Sequence, residues 1–237
     1  MDYKNIINKL EESSYLISMT PIDRVVEIGF SAGMNSNSTV LDLCCGYGEM
    51  LKIWHEAFGI KGVGVDICSE FIKSGKKRLE DNGISGITLI VSDIFKWHTD
   101  EKFDYVCLSG ENFDGLHTIV NLIEKFVKPT GKLIIGTRYS KVDNTPKELI
   151  DFEGETLTLT EINRFLRSKG YYITSMAADT HAEWERYIMW SAKRHLNDLR
   201  KSPESQSLRK WCDKWYDIYF NYRRLYEGYV TIVIEKL

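Results

Sequence analysis

No stretch of about 18 apolar residues runs unbroken through the 237-residue sequence, so no membrane-spanning helix is expected. The first residues, Met1 to Leu16, are charged and interrupted by polar groups, unlike a signal peptide. Five cysteines (Cys44, Cys45, Cys68, Cys107 and Cys212) show neither a CxxC nor a Cys/His spacing, so no metal centre is expected. Four of them lie in or beside apolar runs, where a thiol behaves as a small hydrophobe; reduced thiols in a cytoplasmic protein are the expectation. An excess of one charge is also missing, since 31 Lys and Arg against 34 Asp and Glu leave −3. Nothing therefore stands ready to neutralise a phosphate backbone, and nucleic acid is not an expected partner. No internal repeat and no low-complexity segment is present.

What remains is a chain of 43% apolar and 27% charged residues, the balance of a soluble globular protein. Short β-branched runs alternate with helical stretches. Thr39–Leu43, Lys61–Asp66, Ile87–Val91, Phe103–Leu108 and Leu133–Gly136 read as strands. Helices are expected over Tyr47–Phe58, around Phe71–Leu79 and over Asp114–Val127, with Lys128-Pro129-Thr130-Gly131 as a turn. Such alternation implies βαβ crossovers and an α/β fold with a doubly wound, mostly parallel sheet. A helix over Thr158–Lys169, opened by Thr160 and Glu161, then leads to a sixth strand, Tyr171–Met176. The rhythm changes at Thr180–Glu227, a segment of helical period interrupted at Ser202-Pro203-Glu204, before Tyr229–Ile234 returns as a strand. This segment holds four of the six Trp residues (Trp184, Trp190, Trp211, Trp215). One domain over residues 1–237, with residues 180–227 as a helical insertion before the final strand, is the expected organisation, since the insertion is too small to own a core.

The sharpest signal is Asp42-Leu43-Cys44-Cys45-Gly46-Tyr47-Gly48, a strand running into a Gly-x-Gly turn that opens a helix. Asp66 ends the next strand about 20 residues on, where a carboxylate can accept ribose hydroxyls. A dinucleotide site needs a small residue three positions after the second glycine, and Leu51 stands there. Asp42 is also misplaced beside a diphosphate but suits an ammonium group. S-adenosylmethionine has ribose, adenine and a zwitterionic tail without phosphate, so charge favours it over NAD.

These residues resemble the first motif of the class I S-adenosylmethionine-dependent methyltransferases. Val65-Asp66 is similar to that family's ribose motif, Ser92-Asp93-Ile94 to its adenine motif, and Phe103–Leu108 and Leu133–Gly136 to its fourth and fifth strands. The stretches Gly46–Leu51, Gly62–Asp66 and Glu183–Tyr187 also resemble a group of small, uncharacterised bacterial methyltransferases. The resemblance implies a seven-stranded sheet whose last strand, Tyr229–Ile234, is antiparallel. It further implies that Asp42 and the backbones of Gly46 and Gly48 hold the methionine part and that Asp66 takes the ribose. Asp93, Ile94 and Ile67 would surround adenine, with Cys44 and Ser109 also in the cofactor site.

Methyl transfer from a sulfonium is an in-line displacement in which positioning dominates and a general base is optional. Candidate bases or acceptor-side groups follow the fourth and fifth strands, namely Glu111, His117 and Tyr139, with Arg138 as a clamp for an anionic acceptor. The loop Ser109-Gly110-Glu111-Asn112 lacks the Asn/Asp-Pro-Pro-aromatic pattern of enzymes that methylate base amino groups, so a small-molecule acceptor is expected. Trp184, Tyr187 and Trp190 are candidates to enclose it from the insertion, which would act as a cap; the competing reading makes these aromatics a seam or a dimer contact. A monomer or a homodimer fits equally well. A nicotinamide-dependent dehydrogenase and a non-catalytic S-adenosylmethionine-binding module are the alternatives carried forward.

Overall fold

A computed structural model describes Leu16, residues 18–110 and residues 113–236. Its strands are β1 (Thr39–Leu43), β2 (Lys61–Asp66), β3 (Ile87–Val91), β4 (Phe103–Ser109), β5 (Val127–Ser140), β6 (Tyr171–Ala178) and β7 (Glu227–Lys236). Between them run α1 (Ile22–Ala32), α2 (Glu49–Phe58), α3 (Ser69–Asp81), α4 (Leu116–Ile123), α5 (Lys147–Glu153) and α6 (Leu159–Ser168). The long α7 (His181–Lys201), α8 (Gln206–Ile218), a π-helical stretch (Tyr219–Arg223) and a last turn α9 (Arg224–Tyr226) connect β6 to β7.

The seven strands form one sheet in the order β3-β2-β1-β4-β5-β7-β6. The first five pair in parallel, whereas β7 runs antiparallel to both neighbours, with Leu133 facing Ile234 and Ile173 facing Ile234 from the other side. Strands buried on both faces carry near-continuous apolar sequence, and β1, β4 and β7 do so. One face packs Leu41, Val106 and Ile135 against Ile119 and Ile123 of α4 and Leu166 of α6. The other packs Val40, Cys107 and Ile134 against Val25 of α1, Trp54 of α2 and Ile72 of α3. A third cluster joins Trp184, Ile188, Trp215 and Tyr219, from the β6–β7 connection, to Tyr229 of β7 and Met19.

Strand order reverses direction between β1 and β4, and a doubly wound sheet opens a crevice at that switch point, outside the carboxyl ends of its strands. Close packing shapes this edge. A Cβ at Gly75 of α3 would fall against the backbone carbonyl of Tyr47 and against Leu89. Backbone cannot yield as a flexible side chain does, so Gly75→Ala should cost about 1–3 kcal/mol in chemical denaturation, with a lowered midpoint and an unchanged slope.

Several expectations need correction. Lys128–Gly131 is no free turn: Phe103 pairs with Val127 and Tyr105 with Lys132, so these residues loop out as an irregularity inside the long β5. The helix after β4 is confined to Leu116–Ile123. The helix before β6 starts at Leu159, because Thr158 is its N-cap and Glu161 closes a capping box with it; Thr160 and Glu161 already lie inside. Helices α1 and α5 were not expected; both follow a proline and have no side-chain cap, so the usual start signal is missing.

Candidate active site

At the end of β1 the chain leaves the sheet through two left-handed residues, Cys44 (φ 62°) and Gly46 (φ 55°). The Cys45 amide still reaches the Val65 carbonyl at 3.1 Å, which ties the loop to β2. Asp66 then locks the loop: its Oδ2 accepts the Gly46 N–H at 2.8 Å and its Oδ1 accepts the Cys68 N–H at 2.9 Å. A single carboxylate thus orients the glycine turn and caps the entry to α3, while its remaining lone pairs stay available to a ligand.

A cavity of about 530 Å³ opens over this edge. It is lined by Asp42, Cys44, Gly46, Asp66, Ile67, Asp93, Ile94 and Ser109, eight of the nine residues expected to bind a cofactor. Gly48 is the exception. It stands at the N-cap of α2, its N–H donates to the Cys45 carbonyl at 2.8 Å, and a Cβ there would meet Leu89, so it shapes the turn and does not line the cavity. Residues that sequence reasoning missed complete the wall, notably Glu49, Phe71, Phe95 and Phe113.

The electrostatics are one-sided. Four carboxylates (Asp42, Glu49, Asp66 and Asp93) line the cavity, and among the described residues no Lys, Arg or His does. Burial pushes the Asp42 carboxyl up to about 7, opposed by a hydrogen bond with Cys107 and helped by the charge of Asp66. Glu49 is raised by burial too, although Arg78 of α3 brings Nη2 within 3.1 Å of both its oxygens. Burial also holds the Cys45 thiol well above its usual range, so it is not a thiolate at neutral pH. The Asp93 carboxylate accepts the Phe95 N–H at 3.0 Å. Ile67, 73% exposed, and Phe95 and Phe113, whose rings meet edge to face at 5.1 Å, leave apolar surface at the mouth.

A second cavity of about 500 Å³ shares Gly110, Phe113 and Tyr187 with the first. Arg138 and Arg223 lie on its wall, tied into a buried lattice. Arg138 Nη1 donates to Glu153 at 2.9 Å and to Glu227 at 2.7 Å, and Arg223 Nε donates to Glu227 at 2.8 Å. Arg223 Nη1 lies 3.0 Å from Glu153. Arg138 is therefore in an internal ion-pair network on the cavity wall and not in a surface pair; of its four members only Arg138 was expected.

The catalytic candidates fare differently. Glu111 lies outside the described residues. His117 is on the exposed face of α4, bonded through Nε2 to Asn121, because Leu116, Ile119 and Val120 turn the other face to the core. Tyr139 packs against Gly228 of β7 and lines neither cavity, since strand alternation sends it to the face opposite Arg138. Trp184 is buried in the third core cluster beneath the Arg223 guanidinium and so belongs to the seam, Trp190 meets Tyr187 at a tilt with ring centroids 5.8 Å apart, and Tyr187 alone of the three lines the cavities. Ser109 reaches Tyr229 at 2.8 Å, a buried partner that sequence reasoning missed.

A strand-order switch point, a glycine turn braced by a strand-end carboxylate, and an acidic cavity lined by no cation among the described residues thus meet at one edge of the sheet. The chain matches the methyltransferase domain family over residues 34–220 and belongs to it. It is an S-adenosylmethionine-dependent methyltransferase, and the dehydrogenase and non-catalytic readings are set aside. It is 26% identical over 195 residues to the uncharacterised protein YjhP of Escherichia coli K12, spanning 79% of each chain, and superposes on the YjhP structure with a TM-score of 0.87 at 24% identity, covering 96% of this chain and 97% of that one. A Geobacter sulfurreducens S-adenosylmethionine-dependent methyltransferase, solved with S-adenosylhomocysteine, superposes at 0.85 with 22% identity and 94% of both chains covered. The corresponding Thiobacillus denitrificans structure gives 0.85 at 23% identity with both chains fully covered.

Proposed function

We propose that the protein methylates a small molecule held in the second cavity, with the cofactor held in the first. The observation that carries this reading is the juncture of the two: an acidic cavity over the β1 and β2 edge, without a lining cation among the described residues, adjoins a polar cavity of metabolite size across the shared Gly110, Phe113 and Tyr187. The residues fit the cofactor's chemistry. Asp42, raised by burial, offers a carboxylate to an ammonium group; Asp66 accepts ribose hydroxyls; Asp93 and Ile94, with Ile67 across the opening, suit an adenine ring. When bound, S-adenosylmethionine supplies an electrophilic methyl group.

The chain's own groups then do four things. Asp66 fixes the glycine turn. Asp42 and Asp66 supply negative charge that favours a cation. Phe113 and Tyr187 narrow the passage and exclude water around the nucleophile's approach. The connection formed by residues 180–227 supplies Tyr187, Ile188, Ser191, Trp215 and Arg223 to the second cavity, which is the wall a cap would provide. No described side chain stands as a general base between the cavities, so an acceptor that arrives with a free lone pair fits best. With net charge −3 and no apolar helix of membrane-spanning length among the described residues, a small cytoplasmic acceptor suits the surface better than a nucleic acid.

Incubating the protein with methyl-labelled S-adenosylmethionine and a bacterial extract tests this. Label should appear in the low-molecular-weight fraction, and label confined to protein or nucleic acid would sink the small-molecule reading. Tyr187→Ala should lower kcat/KM for that acceptor by roughly tenfold while cofactor affinity changes less, because the ring faces both cavities but only the second depends on it for closure.

A further inference from the structure

The second cavity carries more information than its size. Its polar wall is Arg138, Arg223, Glu153 and Ser191, and its apolar wall is Met19, Phe113, Ile188 and Trp215. Glu227, the second carboxylate of the ion lattice, is 1% exposed and lies behind that wall. The lattice of two guanidiniums and two carboxylates is neutral overall, but both guanidiniums and only one of the carboxylates, Glu153, reach the cavity surface. The first cavity meets four carboxylates and no cation among the described residues. One chamber is acidic and the other is electrically balanced with guanidinium donors on its wall, a difference that orients a molecule with an anionic end.

The hydrogen bonds point the same way. Arg138 spends Nη1 on Glu153 and Glu227 and Nη2 on the Glu153 carbonyl; Arg223 spends Nε on Glu227 and sets Nη1 against Glu153. Arg138 Nε and Arg223 Nη2 have no protein partner among the described residues, and neither is among the side-chain nitrogens sealed away without one. Both therefore keep accessible surface on residues that line the cavity. The ion lattice fixes both guanidinium planes, so little entropy is lost when an anion meets them. Ser191, on the same wall, bonds only weakly to His195 at 3.4 Å and can turn its hydroxyl to a third contact.

We infer that the methyl acceptor is a small organic acid whose carboxylate is held by Arg138, Arg223 and Ser191, with an apolar skeleton that crosses Ile188 and Trp215 and brings the nucleophile to Phe113 and Tyr187. Because Glu153 and Glu227 already balance the two guanidiniums, the wall tolerates a monoanion better than a phosphate dianion. The acidic first cavity repels the carboxylate from the methyl-donor side, so the acid group is an anchor and not the atom methylated. This inference rests on the two-cavity reading above.

Calorimetry on the full chain saturated with S-adenosylhomocysteine tests it, using matched acids and amides: phenylacetate against phenylacetamide, cyclohexanecarboxylate against its amide, and hexanoate against hexanamide, with phenyl phosphate as the dianion. At least one acid should bind about tenfold or more tightly than its amide and than phenyl phosphate. That preference should shrink on Arg223→Gln. Because that substitution leaves buried carboxylates uncompensated and endangers folding, Ser191→Ala serves as the second variant; it leaves the ion lattice intact and should weaken the acid roughly threefold without moving its amide. If S-adenosylhomocysteine binds while acids and amides bind alike, or none binds, or the phosphate binds best, the organic-acid assignment is overturned and the cofactor site stands. If S-adenosylhomocysteine itself fails to bind, the underlying two-cavity reading falls with it.

Discussion

Replacing Asp66 by alanine should weaken S-adenosylmethionine binding by roughly ten- to a hundredfold, or about 1–3 kcal/mol. Loss of a direct contact to ribose is only part of the reason. The same carboxylate accepts the amides of Gly46 and Cys68, so its removal leaves two backbone donors without a partner and releases the turn that shapes the cavity. Asp66→Asn keeps one acceptor oxygen and should lose less than alanine does. Calorimetric titration of the cofactor against wild type and both variants checks the order. Equal affinity in all three would show that Asp66 is only a strand-end cap.

Cofactor affinity should fall by about tenfold for each pH unit below 7, and level off above it. The cause is Asp42, which burial raises to about 7; a cation binds the carboxylate form, so below that pH a proton must first be displaced. Asp42→Asn should bind weakly at every pH and lose the slope. The same shift has a separate consequence for folding. Asp42 and Asp179 both titrate near 7 in the folded protein against an ordinary value of 3.8 in the unfolded chain, raised chiefly by burial. Their contribution to stability is fully present below about pH 4 and is lost as pH rises through 7, so the protein without cofactor should melt at a lower temperature at pH 8 than at pH 6. Cofactor should raise the melting temperature more at pH 8, where the Asp42 carboxylate is already charged. Melting curves at the two pH values, with and without S-adenosylhomocysteine, measure both effects; a ligand-induced rise that is larger at pH 6 would contradict the assignment.

The sulfonium cofactor is legible in the sequence because its site is local. Asp42, the glycine turn and Asp66 sit within two βα units, and a strand, a left-handed turn and a helix are set by short-range sterics and hydrophobic period. Even there the sequence does not separate Gly48 from the residues that line the cavity; only the structure shows that a Cβ at Gly48 would meet Leu89. Glu49 escaped notice because a first-turn glutamate has an ordinary explanation, as a favourable charge at a helix start.

The second cavity was far less legible. Arg138 on β5, Glu153 on α5, Arg223 in the π-helical stretch and Glu227 on β7 come together from positions separated by up to 89 residues. No periodicity encodes that meeting. The alternation of strands and helices and the helical segment between β6 and β7 were determined by the sequence itself, through apolar runs and their period, whereas the antiparallel last strand was implied by the family resemblance and the strand order was given by the structure. Which face each residue of β5 and α7 presents was decided only by the tertiary structure: strand register sends Tyr139 away from the site and Arg138 into it, and helix packing takes Trp184 into the core while Tyr187 is left at the passage. Long-range pairing selects one partner set among many compatible with the same local pattern, and so the cofactor was written in the sequence while the second cavity had to be seen.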